Sequence, residues 1–282
     1  MNYSTKKKNT CFIYKNDLKF NEEINFEDSE FESDSVKKIY NSFKTKPKIE
    51  LRLEDTKMEN YKYLDLSKLD IDDEMLIKLF KLTRIDKILS KIEFLDLAHN
   101  KLKTLPNIKK YPNILYLSVS FNQINQDIED NNLIELTCHN NNIKSIKSNK
   151  MTHLNASNNN IQYIDVPKIN ILVISYNKLT WIPSYLNLKY LECIGNQINK
   201  IDSMRILEEL YIGENNVSNI SNMPKLKVLN CVSNPIVKVK YFSNLKTLMS
   251  STAKVSSQYQ ISNISKVKAD YLINFIPYEW IN

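Results

Sequence analysis

One pattern dominates this chain. An aliphatic residue, a second three places on, a third two places later, an asparagine three further and a last aliphatic two beyond it recur eight times with little variation. The units are Ile92, Leu95, Leu97, Asn100, Leu102; Ile114, Leu117, Val119, Asn122, Ile124; Leu133, Leu136, Cys138, Asn141, Ile143; and Met151, Leu154, Ala156, Asn159, Ile161. They continue as Ile169, Leu172, Ile174, Asn177, Leu179; Leu188, Leu191, Cys193, Asn196, Ile198; Leu207, Leu210, Ile212, Asn215, Val217; and Leu226, Leu229, Cys231, Asn234, Ile236. Successive asparagines lie 22, 19, 18, 18, 19, 19 and 19 residues apart. A unit this short cannot bury its own apolar side, so it must stack on its neighbours. Numbering each unit from its first aliphatic, the apolar columns are positions 1, 4, 6 and 11, and the asparagine is position 9.

Each column has a physical reading. Positions 4 and 6 alternate with other residue types, which predicts a short strand with those two side chains pointing inward and positions 3, 5 and 7 outward. Stacked strands then make a parallel sheet. At position 9 the chain must turn inward, and an asparagine amide both donates and accepts there, satisfying backbone groups that water cannot reach. The predicted ladder is Asn100, Asn122, Asn141, Asn159, Asn177, Asn196, Asn215 and Asn234. A further apolar residue follows three places after position 11, at Leu105, Ile146, Ile164, Ile182, Ile201, Ile220 and Val239.

The pattern resembles the signature L-x-x-L-x-L-x-x-N-x-L of the leucine-rich repeat family, over roughly residues 61–255. The short units resemble an intracellular subclass that includes relatives of a regulatory subunit of protein phosphatase 1. The resemblance implies an α/β solenoid: a right-handed superhelix with a parallel sheet on its concave face. With 18 or 19 residues per coil, little chain is left for helices on the convex side, so extended or 3₁₀ segments and weak curvature are expected there.

The ends do not repeat. Residues 34–60 read as an N-terminal cap, with Val36, Ile39, Tyr40 and Phe43 on one helical face and Leu51 and Leu53 in a following strand. The first coil is degenerate: Tyr61, Leu64, Leu66 and Ile71 fit, but Leu69 stands where the asparagine belongs. From Asp72 to Ser90 the set Met75, Leu76, Leu79, Phe80, Leu82 and Ile85 predicts a helix. Residues 256–282 read as a C-terminal cap. Residues 1–33 mix Glu22, Glu23, Glu27, Asp28, Glu30 and Glu32 with Phe20, Ile24, Phe26 and Phe31 and read as an acidic-aromatic tail.

Composition narrows the chemistry. Only 2 of 282 residues are glycine, which argues against phosphate-cradling loops and nucleophile elbows. Cys138, Cys193 and Cys231 all occupy position 6 and read as small buried hydrophobes, with no cysteine cluster flanking the repeats. His99, His139 and His153 fall at positions 8, 7 and 3, too dispersed to share one metal. The expectation is a protein without catalytic residues, cofactor or metal. No apolar stretch reaches the length of a membrane span, and the polar start lacks a signal-peptide run. These features predict an intracellular protein, cytoplasmic or nuclear. Net charge is +7, all of it arising from residue 133 onward, where lysines are scattered singly.

Function is read from the outward columns. Phe94, Tyr116, Glu135, His153 and Tyr190 lie at position 3, Asp96, Glu192 and Tyr211 at position 5, and Phe121 and Tyr176 at position 8. Aromatic residues so placed suit the recognition of another protein. Nine strands at about 4.8 Å and a width of about 15 Å give on the order of 650 Å², near the area of a standard interface. The expected partner is another protein, bound by a monomer, with neither nucleic acid nor membrane involved. Two alternatives stay open. One is an RNA- or ribonucleoprotein-associated repeat protein, because the C-terminal half is basic. The other is a viral host-interaction factor, because the Asn, Lys and Ile richness fits an A+T-rich genome.

Overall fold

A computed structural model describes residues 63–235, 238–239 and 242–250, with the short strands β1 (Ile13–Lys15), β2 (Lys48–Leu51), β19 (Lys254–Val255) and β20 (Lys266–Lys268). The expected tail lies outside the described residues apart from β1, and the expected caps apart from β2 and β20. Leu51 ends β2, which pairs antiparallel with β1. The chain divides into two compact units, residues 1–166 and 167–282.

In the first unit, strands β3 (Tyr63–Asp65), β4 (Phe94–Asp96), β5 (Tyr116–Ser118), β7 (Glu135–Thr137) and β9 (His153–Asn155) pair in parallel, one per coil. In the second, β11 (Ile171–Val173), β13 (Tyr190–Glu192), β15 (Glu209–Tyr211), β16 (Val228–Asn230), β18 (Thr247–Met249) and β20 do the same. Register is strict: equal repeat positions lie side by side, as in Leu117 beside Leu136 and Leu191 beside Leu210. Each of these strands from β4 to β18 buries its middle residue and leaves positions 3 and 5 half-covered. The core is the stack of positions 1, 4, 6 and 11, where Leu95, Leu136, Leu172, Leu210 and Cys193 are wholly excluded from solvent. This is the solenoid that the repeats predict.

The asparagines sit as expected. Asn141 donates to Val119 O of the preceding coil at 3.0 Å and to Cys138 O of its own at 3.0 Å, while its Oδ1 accepts the Ile124 N–H at 2.9 Å. Asn159, Asn196, Asn215 and Asn234 repeat the arrangement. Asn122 makes the same bonds but is half-buried. Because each amide reaches backward, the first coil needs no asparagine of its own. Asn100 accepts from Leu69 and Ile71 and donates to Leu66 O, which is why Leu69 is tolerated.

On the reverse side, extended segments pair rather than coil into 3₁₀ turns. β6 (Ile128–Glu129), β8 (Ser145–Lys147) and β10 (Tyr163–Asp165) form a second parallel sheet in the first unit, and β12 (Trp181–Ile182) pairs with β14 (Lys200–Ile201) in the second. The apolar column after position 11 supplies the buried residues of β8, β10, β12 and β14, which are Ile146, Ile164, Ile182 and Ile201, while in β6 the buried residue is Ile128, one place further on.

Two expectations are corrected. The single helix foreseen from Asp72 to Ser90 is two: α1 (Asp73–Lys81), capped by the Asp72 carboxylate on Met75 N–H at 2.8 Å, and α2 (Thr83–Leu89). Leu82 between them is extended, with ψ of 124°. A straight helix over that span would run about 25 Å, several times the strand spacing that the coil must return to. The break lets Leu76, Leu79 and Leu89 all reach the core. Position 7, expected outward, is often covered: Ala98, Ser120 and Ser175 are 9%, 3% and 2% exposed. The chain has begun to turn there, and position 8 takes a left-handed conformation in all nine coils where it is described. Lys68, His99, Phe121, Asn140, Asn158, Tyr176, Gly195, Glu214 and Ser233 all have φ between 52° and 64°.

Candidate functional site

The strand face of each unit is built from positions 3 and 5, with position 8 at its margin. In the first unit Phe94 and Tyr116 are neighbours in register and stack with ring centres 6.3 Å apart and planes 14° from parallel. Tyr116 is followed by Glu135 and then His153 along the same column. Asp96 is committed locally, accepting the Ala98 N–H at 2.9 Å. The His153 ring nitrogen Nδ1 meets Thr152 Oγ1 at 2.9 Å, and burial lowers its pKa.

At the margin of that face the Phe121 ring lies between two imidazoles. His99 stacks on it at 4.2 Å, and His139 meets it edge-on at 5.0 Å. Burial, with a smaller contribution from the charge of His99, lowers the pKa of His139. His139 Nδ1 is 2.8 Å from Ser120 Oγ, a nucleophile-to-base distance. Ser120 is only 3% exposed, however, so the pair is closed to a substrate and serves to orient the ring.

The second unit carries a different constellation. Tyr190 lies beside Glu209, and Glu192 beside Tyr211, so the two tyrosines and two glutamates alternate as a square. The tyrosine rings approach across the diagonal at 5.5 Å. Each hydroxyl donates to the carboxylate on its own strand: Tyr190 Oη to Glu192 Oε2 at 3.1 Å and Tyr211 Oη to Glu209 Oε2 at 3.0 Å. Burial first, and these carboxylates second, push both phenols well above the usual tyrosine range, so the hydroxyls stay protonated donors. Buried Ser175 donates to Glu192 Oε1 at 2.8 Å. Tyr176 is half exposed and lies over Gly195, whose missing Cβ would come within 2.5 Å of the ring.

Of the expected residues, the structure brings Phe94 against Tyr116 in the first unit and Tyr190, Glu192 and Tyr211 together in the second. Phe121 packs instead between His99 and His139, Tyr176 lies over Gly195, and Asp96, Glu135 and His153 join neither cluster of rings. Sequence reasoning passed over Glu209, Ser175 and Glu214. Writing adjacent coils side by side would have found the first two, because positions 3, 5 and 7 become neighbours only across the 19-residue offset.

The thiols of Cys138 and Cys193 are fully buried and their pKa values are raised; that of Cys231 is pushed up to about 11. None presents a thiolate near neutral pH. Among the described residues no group of three His, Cys, Asp or Glu side chains is placed to hold a metal ion, and no helix is long and apolar enough to cross a membrane.

Solved structures to which this architecture is similar include leucine-rich repeat proteins. The leucine-rich repeat domain of APL1B matches with a TM-score of 0.58 and 20% identity, over 69% of this chain and 65% of that one. The functional domain of InlJ from Listeria monocytogenes, which includes a cysteine ladder, matches at 0.57 and 22%, over 73% of this chain and 47% of that one. An internalin, InlF, from the same organism matches at 0.53 and 22%, over 77% and 69%. At such identities the likeness is one of fold. The chain spans less than two thirds of the length of the first two. No protein-family model and no curated protein matches the sequence.

Proposed function

We propose that this leucine-rich repeat chain is a non-catalytic protein that binds another protein through its strand face. The observation that carries the reading is the pair of aromatic contacts, Phe94 on Tyr116 and Tyr190 on Tyr211, standing half-covered on the outer side of strands whose inner side is sealed. Rigid aromatic side chains held by a parallel sheet bury large areas on association with little loss of freedom. The absence of an accessible nucleophile in the Ser120–His139 pair and the raised thiols support a role outside catalysis.

The protein acts, in this reading, as an intracellular monomer, and its coils of 18 or 19 residues, with an aliphatic column on the reverse side, support the short intracellular subclass. Affinity capture with the full chain provides the test. A variant carrying Phe94→Ala, Tyr116→Ala, Tyr190→Ala and Tyr211→Ala, checked for an unchanged circular dichroism spectrum, is expected to lose the proteins recovered by the natural chain. Equal recovery by both defeats the assignment of the face.

A further inference from the structure

We propose that the strand face of the second unit receives a basic segment of its partner, seating a lysine or arginine side chain against Tyr190, Glu192, Glu209 and Tyr211. The inference rests on the reading of the strand face as the docking surface and adds the chemistry of what docks.

The first ground is the hydrogen-bond inventory. The hydroxyls of Tyr190, Tyr211 and Ser175 are all turned onto the two carboxylates, and Ser175 Oγ is itself fixed by the Ile194 N–H at 3.0 Å. With its hydroxyl protons committed, the square offers an incoming group only acceptors: carboxylate oxygens and the remaining lone pairs of the phenols. Ammonium and guanidinium groups bring several donors, a positive charge and no acceptor, which is the complement of two carboxylates. The two tilted rings, 5.5 Å apart, add the π faces against which such cations rest favourably.

The second ground is charge. Residues 167–250 hold ten basic and five acidic residues, yet columns 3, 5, 7 and 8 between Ile171 and Ser250 hold Glu192, Glu209 and Glu214 and not one Lys or Arg. This face has the opposite sign to the unit that bears it. Among the described residues none of these three carboxylates has an ion-pair partner, whereas Glu208, next in sequence to Glu209 but off the face, pairs with Lys227. Lysines are therefore within the unit's means, and the face is left uncompensated. A phosphate backbone would meet repulsion there, so the complementary partner is a cationic peptide segment.

Fluorescence anisotropy with short labelled peptides tests this on the full chain. One peptide alternates arginine with serine, a second replaces arginine by citrulline, which keeps the shape and loses the charge, and a third replaces it by glutamate. The arginine peptide is expected to bind, to weaken as salt rises, and to exceed the citrulline peptide by about tenfold or more. Glu192→Gln with Glu209→Gln is expected to abolish that preference. Its glutamine oxygens still accept from both tyrosines, and at residue 192 the new amide nitrogen can donate to Ser175 Oγ in place of the bond that Oγ gave, so the thermal midpoint should move little. Glu214→Gln, an isosteric change at an exposed side chain, gives a second variant expected to keep the thermal midpoint and to move the preference in the same direction by less. Equal binding of the arginine and citrulline peptides, no binding of either, or a preference that survives both variants overturns the proposal. If captured proteins are lost with the four alanine substitutions but kept by the glutamine pair, the face remains the docking surface and the basic partner alone is refuted.

Discussion

An asparagine at position 9 is the one side chain that closes both the coil it belongs to and the coil before it. In Asn141 the amide nitrogen serves Val119 O and Cys138 O, and the oxygen serves the Ile124 N–H, all buried. Removing the side chain strands a donor in one coil and acceptors in two. Asn141→Ala is therefore expected to lower the unfolding free energy by about 1 to 3 kcal/mol, measured by urea denaturation. Asn122→Ala should lower it less, because water already reaches that half-buried amide. Equal losses at the two sites would mean that burial does not set the strength of the ladder. This much was legible in the sequence, since a polar residue recurring between aliphatic columns has few other reasons to be there. The role of Leu69 was not, because nothing in a single column says that the amide of Asn100 reaches backward across 31 residues.

The turn that follows each strand, which the outward columns present as a place for exposed side chains, is the most conformationally demanding part of the coil. Position 8 is left-handed in nine coils, and glycine fills it only once. Asn140 and Asn158 fit that conformation by type, but Phe121, Tyr176 and Glu214 give no such signal, which is why columns of residue names concealed it. What holds them is the ladder: Phe121 N–H bonds His139 O at 2.9 Å and Tyr176 N–H bonds Ile194 O at 2.7 Å in the next coil. A left-handed non-glycine residue costs of order 1 kcal/mol, comparable with the bond gained. Gly195 combines a φ of +64° with the Tyr176 ring against its Cα. Gly195→Ala is expected to destabilise by about 1 to 3 kcal/mol. In a Tyr176→Ala background the loss should shrink to the backbone part alone. A double-mutant cycle of thermal or urea midpoints reads the difference, and strict additivity would show that the ring and the turn are independent. The break at Leu82 belongs to the same lesson: the periodicity of residues 72–90 revealed helix, while the need to return to a strand in register, a property of the stack, set where it ends.

At the scale of the molecule, stability in a solenoid is a sum of coil terms and contacts with adjacent coils, so a local change in protonation acts locally. The chain has three histidines, and all three fall in the first unit. Net charge alone hid this, just as +7 hid an acidic strand face; both appear only when residues are assigned to coils. Burial keeps the folded-state pKa values of His139 and His153 below the ordinary 6.5. The unfolded chain then binds more protons than the folded one once pH drops toward and beneath that value, and stability falls in the same direction. Stability from these two residues is thus fully present at neutral pH and declines on mild acidification, while most carboxylates remain charged. The second unit has no counterpart. Hydrogen exchange, corrected for intrinsic rates, should show amides of residues 114–161 losing protection as pH is lowered from 7 through about 6, while those of residues 188–235 hold theirs. His139→Gln with His153→Gln should remove the difference. Loss of protection in both units together, or an acid response in the first that persists in the double variant, would place the pH dependence elsewhere than on the imidazoles.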